Sequence, residues 1–179
     1  MDLEEYKEWV KENGNKEEVC AIEVIDEILK YHIELNDAKF ESIEVLPHKV
    51  IVREKERLEF DLIIKLKHSK SFYDRLIGVE FKEYDIQKVV RQAVRRREFV
   101  DYMYIATRSV AMDYPEIFLL TYFGIGWVVY FEDFAKMIVP ARYQDPSHIF
   151  ERVVDEALKA FAEKKLKNLT LNDFIGGRF

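Results

Sequence analysis

The chain has 179 residues and a mass of 21.4 kDa, which suits one domain with room for a substantial core. Its 49% hydrophobic and 14% aromatic content excludes a disordered tail, its single cysteine excludes an intramolecular disulfide, and no apolar run long enough to span a membrane or to serve as a leader is present; together these read as an intracellular, cytoplasmic protein. A net charge of −6 excludes indiscriminate coating of nucleic acid, where phosphate neutralisation dominates, and the 35% charged content, rich in Glu and Lys with few amides, leans toward a thermophile.

Residues 2–12 and 17–33 carry helical patterns separated by the turn signal Asn13-Gly14-Asn15. In the second, Ala21, Ile22, Ile25, Ile28 and Leu29 form the stripe expected to face the core, while Glu23, Asp26 and Glu27 are expected to point to water. Glu18 falls at the N-terminal end of this stripe, where a helix favours acidic side chains in any case. Residues 43–53 and 58–67 read as a hairpin around the charged turn REKER, and His48 and His68 stand isolated, assigned to no metal.

Along LEFDLIIKL the period of two sets Phe60, Leu62 and Ile64 on one side and Glu59, Asp61, Ile63 and Lys65 on the other. The next apolar run, LIGVEFKEYD, puts Glu80 and Lys82 on one face and Val79 and Phe81 on the other. If the two strands pair, Asp61 comes beside Glu80 and Lys82. Two carboxylates and an ammonium at one spot suit a hard divalent cation, with the lysine where a nucleophilic water or a phosphate oxygen would bind. A strand with one solvated face also carries Glu and Lys routinely, and the spacing alone does not separate these readings.

Beyond this strand, Ile86, Val89, Val90, Ala93, Val94 and Val100 recur at helical spacing, interrupted by Lys88, Arg91, Arg95, Arg96 and Arg97. Such a helix buries one side and turns cations either to a phosphate backbone or to water and nearby acidic groups. Gln92 lies one turn from Lys88 and Arg96, where it could orient Lys82 or a water, or cap the core. A strand DYMYIAT follows, then a short helix beginning near Pro115 and a strand GWVVYF. The Met, Tyr and Phe residues of this region are expected in the core rather than as a base-stacking platform. Residues 148–167 carry an amphipathic pattern with Ile149, Val153, Val154, Ala157, Leu158 and Phe161 inward, closing a single domain over residues 1–167.

The order helix, strand pair with Asp61, strand with Glu80-x-Lys82, helix with Gln92, then VDYMYIAT resembles the PD-(D/E)XK nuclease superfamily over residues 16–131. Holliday-junction resolvases, repair nucleases and many archaeal and phage nucleases share that restriction-endonuclease-like fold. Phe60 stands where the motif name has proline. The resemblance implies an α/β fold, a central mixed sheet flanked by helices. It also implies Mg²⁺ or Mn²⁺ held by Asp61, Glu80, the Phe81 carbonyl and, as the first-helix glutamate, Glu18. Lys82 and Gln92 would complete the catalytic set, with Lys88, Arg91, Arg95 and Arg96 against nucleic acid. The expected activity is metal-dependent phosphodiester hydrolysis, on DNA in repair, recombination or defence, by a monomer or a homodimer. A nuclease-like domain without catalysis, binding nucleic acid or a partner protein, is the alternative, and a structural or regulatory protein with an incidental E-x-K is a third reading.

The last twelve residues, NLTLNDFIGGRF, are too short for a core of their own. They resemble the sliding-clamp interaction peptide of replication and repair proteins, with Asn168 in place of its glutamine and Ile175 in place of its second aromatic. That likeness implies Leu171, Phe174 and Ile175 plugging a hydrophobic pocket of a clamp from one 3₁₀ turn. A tail folded back on its own domain is the other reading, since exposed apolar residues invite aggregation.

Overall fold

The computed structural model describes residues 1–15, 18, 20–36, 40–53, 56–68 and 74–144. The amphipathic helix expected over 148–167 and the tail residues Leu171, Phe174 and Ile175 lie outside the described residues. Two helices open the chain, α1 (Leu3–Asn13) and α2 (Ala21–Asn36). A capping box starts α1: Asp2 Oδ1 accepts from the Glu5 amide and Glu5 Oε2 accepts from the Asp2 amide, each at 2.9 Å, satisfying two donors that a helix end leaves open. The strands β1 (Phe40–Arg53) and β2 (Glu56–His68) form the expected hairpin, and β3 (Arg75–Lys82) adds antiparallel to β2. Helix α3 (Ile86–Arg96) leads into β4 (Tyr102–Thr107), and α4 (Tyr114–Phe123) into β5 (Gly126–Tyr130); both crossovers make their strand pairs parallel. A hairpin then returns as β6 (Ala135–Val139), an edge strand that the sequence pattern did not announce.

The result is an α/β fold with one six-stranded mixed sheet in the order β1-β2-β3-β4-β5-β6, flanked by helices. Two cores lie on its two faces. Tyr6, Val10, Val24, Ile25 and Ile28 of α1 and α2 pack with Leu62, Ile64, Val79 and Phe81 on one side. Val89, Val90 and Ala93 of α3 and Leu120 of α4 pack with Phe60, Ile63, Met103 and Ile105 on the other. No described helix is long and apolar enough to cross a membrane.

Three expectations need correction. Strict alternation along β2 fails: Phe60 and Ile63 share the α3 core, whereas Leu62 and Ile64 share the α1/α2 core, so the phase slips at Asp61. The partner strand slips at the same rung, where His48, between the pairs Pro47↔Leu62 and Lys49↔Phe60, adopts φ of 48°. A non-glycine residue in the left-handed region breaks the period of two that the pattern assumes. Second, the aromatics of α4 divide: Leu120 is core, but Tyr114 is 80% exposed, and Phe118 and Tyr122 are exposed as well, stacked on each other with centroids 5.8 Å apart. A helix apolar all round can bury only the side that meets the sheet. Third, Glu27 points inward, accepting from the Met137 amide of β6 at 2.9 Å.

Glycine is required where β4 and β5 meet. A Cβ on Gly126 would strike the Tyr104 ring and come within 2.7 Å of the Ala141 backbone nitrogen; on Gly78 it would meet only the Phe60 ring and the Met103 sulfur. Side chains can shift where backbone cannot. Gly126→Ala is therefore expected to lower stability by about 3 kcal/mol and Gly78→Ala by about 1 kcal/mol, read from denaturant midpoints. Equal midpoints for the two variants would contradict this packing.

Candidate active site

The sheet forks at the carboxyl end of β3. The β2–β3 ladder stops at Leu62↔Val79, while β3 continues beside β4 as far as Lys82↔Thr107 and β2 continues beside β1. At the fork the Asp61 side chain replaces the missing backbone partner: Oδ2 accepts from the Phe81 amide at 2.9 Å. That bond satisfies a strand-end donor and pins the carboxylate next to the last residues of β3. Carboxyl ends of parallel strands are where open α/β sheets hold ligands, because the connecting loops splay apart there.

Glu80, the residue before Phe81, has 0% exposure. Arg96 reaches down from the last turn of α3 and sets Nη1 2.9 Å from Glu80 Oε2, itself only 14% exposed. The contact is a charge pair without hydrogen-bond alignment: both Glu80 oxygens, Arg96 Nε and Gln92 Oε1 are buried with no hydrogen bond. Lys82 turns its ammonium back onto the main chain, donating from Nζ to the Phe81 carbonyl at 2.7 Å. Asp61, Glu80, Phe81 and Lys82 therefore converge at the fork.

Burial is the main force on Glu80, pushing its carboxyl from 4.5 up to about 8; the Asp61 charge pushes the same way, against Arg96, the Asp61 amide and Lys82. Two carboxylates that disfavour each other's charge, one with unbonded oxygens, form a donor set that a hard cation satisfies. The Phe81 carbonyl would join them once Lys82 releases it. Among the described residues no three His, Cys, Asp or Glu side chains converge as a metal cage, so a cation here would rest on two carboxylates, that carbonyl and water. The oxygen-only donors fit Mg²⁺ or Mn²⁺.

Other assignments move. Glu18 is not engaged with Asp61 and Glu80: its Oε2 accepts from the Asn15 amide at 3.1 Å, and its Oε1 lies 3.0 Å from His48 Nε2. A loop before α2 positions it as a cap rather than as a ligand. His48 is not isolated, since its Nδ1 also lies 3.6 Å from Glu59. Its partners come from β2 and from the turn before α2, which only the fold brings to position 48. Lys88, Arg91 and Arg95 are exposed on α3. With Gln92, Arg96 and Leu58 they line an open groove of about 350 Å³ beside the site. Arg96 does not face outward with them. Its spacing from Val89 and Ala93, seven and three residues, is that of the buried stripe, and this was legible in advance.

Glu80 binds more protons in the folded than in the unfolded chain between pH 4.5 and about 8, so its contribution to stability is present below that window and is lost as pH rises through it. Glu80→Gln removes the titration. Wild type is expected to lose a few kcal/mol relative to the variant on going from acid to mildly alkaline pH, by denaturant unfolding across a pH series. Parallel stability profiles for the two chains would show that Glu80 titrates normally.

No family model matches the chain. No curated protein matches it either. Among solved structures it is similar to a protein of unknown function from Silicibacter pomeroyi, at 13% identity and a TM-score of 0.38, covering 72% of this chain and 84% of that one. A likeness at that level carries no argument.

Proposed function

We propose that the chain is a metal-dependent nuclease of the PD-(D/E)XK type, hydrolysing phosphodiester bonds of nucleic acid, with DNA the expected substrate. One observation carries the reading: the Asp61 carboxylate and the buried Glu80 carboxylate meet at the β2–β3 fork, with Lys82 beside them. A strand does not bury one carboxylate beside a second one for stability, so a site that uses their charge is the economical account.

In this reading Asp61, Glu80 and the Phe81 carbonyl would hold Mg²⁺ or Mn²⁺, which would supply positive charge at the scissile phosphate and acidify water there. Lys82, on a strand end and released from the Phe81 carbonyl to which it donates here, would orient the attacking water and offset negative charge growing on the phosphorus oxygens. Lys88, Arg91 and Arg95 hold the backbone of the nucleic acid along the groove. Gln92, with its Oε1 buried among these groups, has an acceptor ready for a water or for Lys82. The product is a cleaved phosphodiester.

A second reading has a specific observation in its favour. Arg96 and Lys82 occupy the Glu80 carboxylate and the Phe81 carbonyl, which is how a binding-only relic would settle its ligands. Calorimetric titration with Mn²⁺ separates the two, because a relic takes up no metal at this site.

Asp61→Asn, Glu80→Gln and Lys82→Ala are each expected to lower Mg²⁺-dependent cleavage about a hundredfold or more with the circular dichroism spectrum unchanged. The assay is a panel of duplex, single-stranded and branched substrates. Undiminished cleavage by all three variants would end the proposal. Lys88→Ala, Arg91→Ala or Arg95→Ala should instead weaken binding evenly across sequences, each reducing the slope of affinity against salt by about 1. An unchanged slope in all three would remove the groove from the interface.

A further inference from the structure

Among the cations of α3, Arg96 alone is turned inward onto the carboxylate that the nuclease reading assigns to the metal. We propose that Arg96 is an exchangeable counter-ion of Glu80: it holds the site in the absence of metal and is expelled into the neighbouring groove when a divalent cation takes its place. The inference rests on the nuclease reading of the same residues.

Geometry carries it. Arg96 Nη1 is 2.9 Å from Glu80 Oε2, so a divalent ion on the same carboxylate would sit close to the guanidinium and be repelled by it strongly in a low-dielectric setting. A divalent ion and the guanidinium therefore compete for that carboxylate. The contact is poorly bonded: Arg96 Nε and both Glu80 oxygens make no hydrogen bond, so little directional bonding is lost on release. A destination is at hand. Arg96 already lines the groove with Lys88, Arg91, Gln92 and Arg95, and it sits in the last turn of its helix, next to the 3₁₀ turn Arg97–Phe99. A long side chain can swing from the floor of that groove to its rim without backbone change. There it adds one positive charge to the three exposed cations that face a phosphate backbone.

The consequence is coupling. Metal must displace Arg96 to bind, and the displaced guanidinium then favours an anionic strand in the groove; by linkage, a bound strand that attracts Arg96 tightens metal binding in return. The arrangement sets a guanidinium against Glu80 in the absence of metal and links loading of the cation to capture of the substrate.

Arg96→Met keeps the bulk and removes the charge. In calorimetric titration with Mn²⁺ at mildly alkaline pH, without nucleic acid, this variant is expected to bind the metal about tenfold more tightly than wild type. Equal or weaker binding by the variant would overturn the counter-ion role while leaving the metal reading of the site intact. Uptake of Mn²⁺ by neither chain would instead overturn the nuclease reading, and the exchange with it. A second measurement needs no variant: in the wild-type protein the Nε–Hε proton resonance of Arg96 is expected to shift on titration with Mg²⁺. An Arg96 resonance that stays in place while Mg²⁺ binds would show that the guanidinium never leaves Glu80.

Discussion

A carboxylate with no exposed surface sits at the end of β3, and its neighbours are organised by its charge. Taking a carboxylate out of water costs several kcal/mol unless hydrogen bonds and an opposite charge replace the hydration, and for Glu80 the largest offset is the charge of Arg96, which does not outweigh burial. Asp61 adds a repulsion to that cost. A glutamine or an apolar residue at position 80 would serve the sheet better, so stability does not explain the choice of glutamate.

The topology of the sheet produces the site. Because β2 is tied to β1 by a long hairpin and β3 is tied to β4 by a parallel crossover, the two middle strands must part, and they part beside Asp61. The parting leaves the Phe81 amide without a main-chain partner, and a short acidic side chain fits the gap where a longer one would overshoot. His48 in the left-handed region on β1 marks the same rung from the outer side. The irregularity at 48 and 61 re-aims two strands at once, as bulges near sites commonly do.

Helix α3 sorts its charges by angle. Val89, Val90 and Ala93 lock one side into the core, Arg96 follows them inward, and Lys88, Arg91 and Arg95 face outward along the groove. The short connection from β3, capped by Asp85 accepting from the Lys88 amide at 3.0 Å, leaves little freedom in how that helix is rotated over the sheet. A helix that begins four residues after Lys82 must carry its cations past the carboxylates. Local chain geometry thus places the basic groove next to the acidic fork.

Local pattern was enough for most elements. The hairpin, β3, α3, β4, α4 and β5 each follow from periodicity and punctuation, since those signals are written within a few residues, and the meeting of Asp61 with Glu80 and Lys82 follows once adjacent strands pair. What the chain did not disclose is decided between distant segments. The phase slip at Asp61 depends on a left-handed residue thirteen positions earlier; β6 depends on an edge that β5 offers; the exposure of Tyr114, Phe118 and Tyr122 depends on which side of α4 meets the sheet. Glu18, assigned to the metal as the first-helix glutamate that the resemblance implies, is held by the Asn15 amide and His48, the latter a partner reached only through the fold. Arg96 is the sharpest case: its helical angle was legible, but that a buried carboxylate waited beneath it required β3 and α3 to be packed together. Sequence by itself determined most of the elements and which side-chain types lie at the strand ends, because periodicity and side-chain type are local; tertiary structure alone decided which charges face each other, because Coulomb energy and desolvation depend on distance and burial, and neither exists until the layers close.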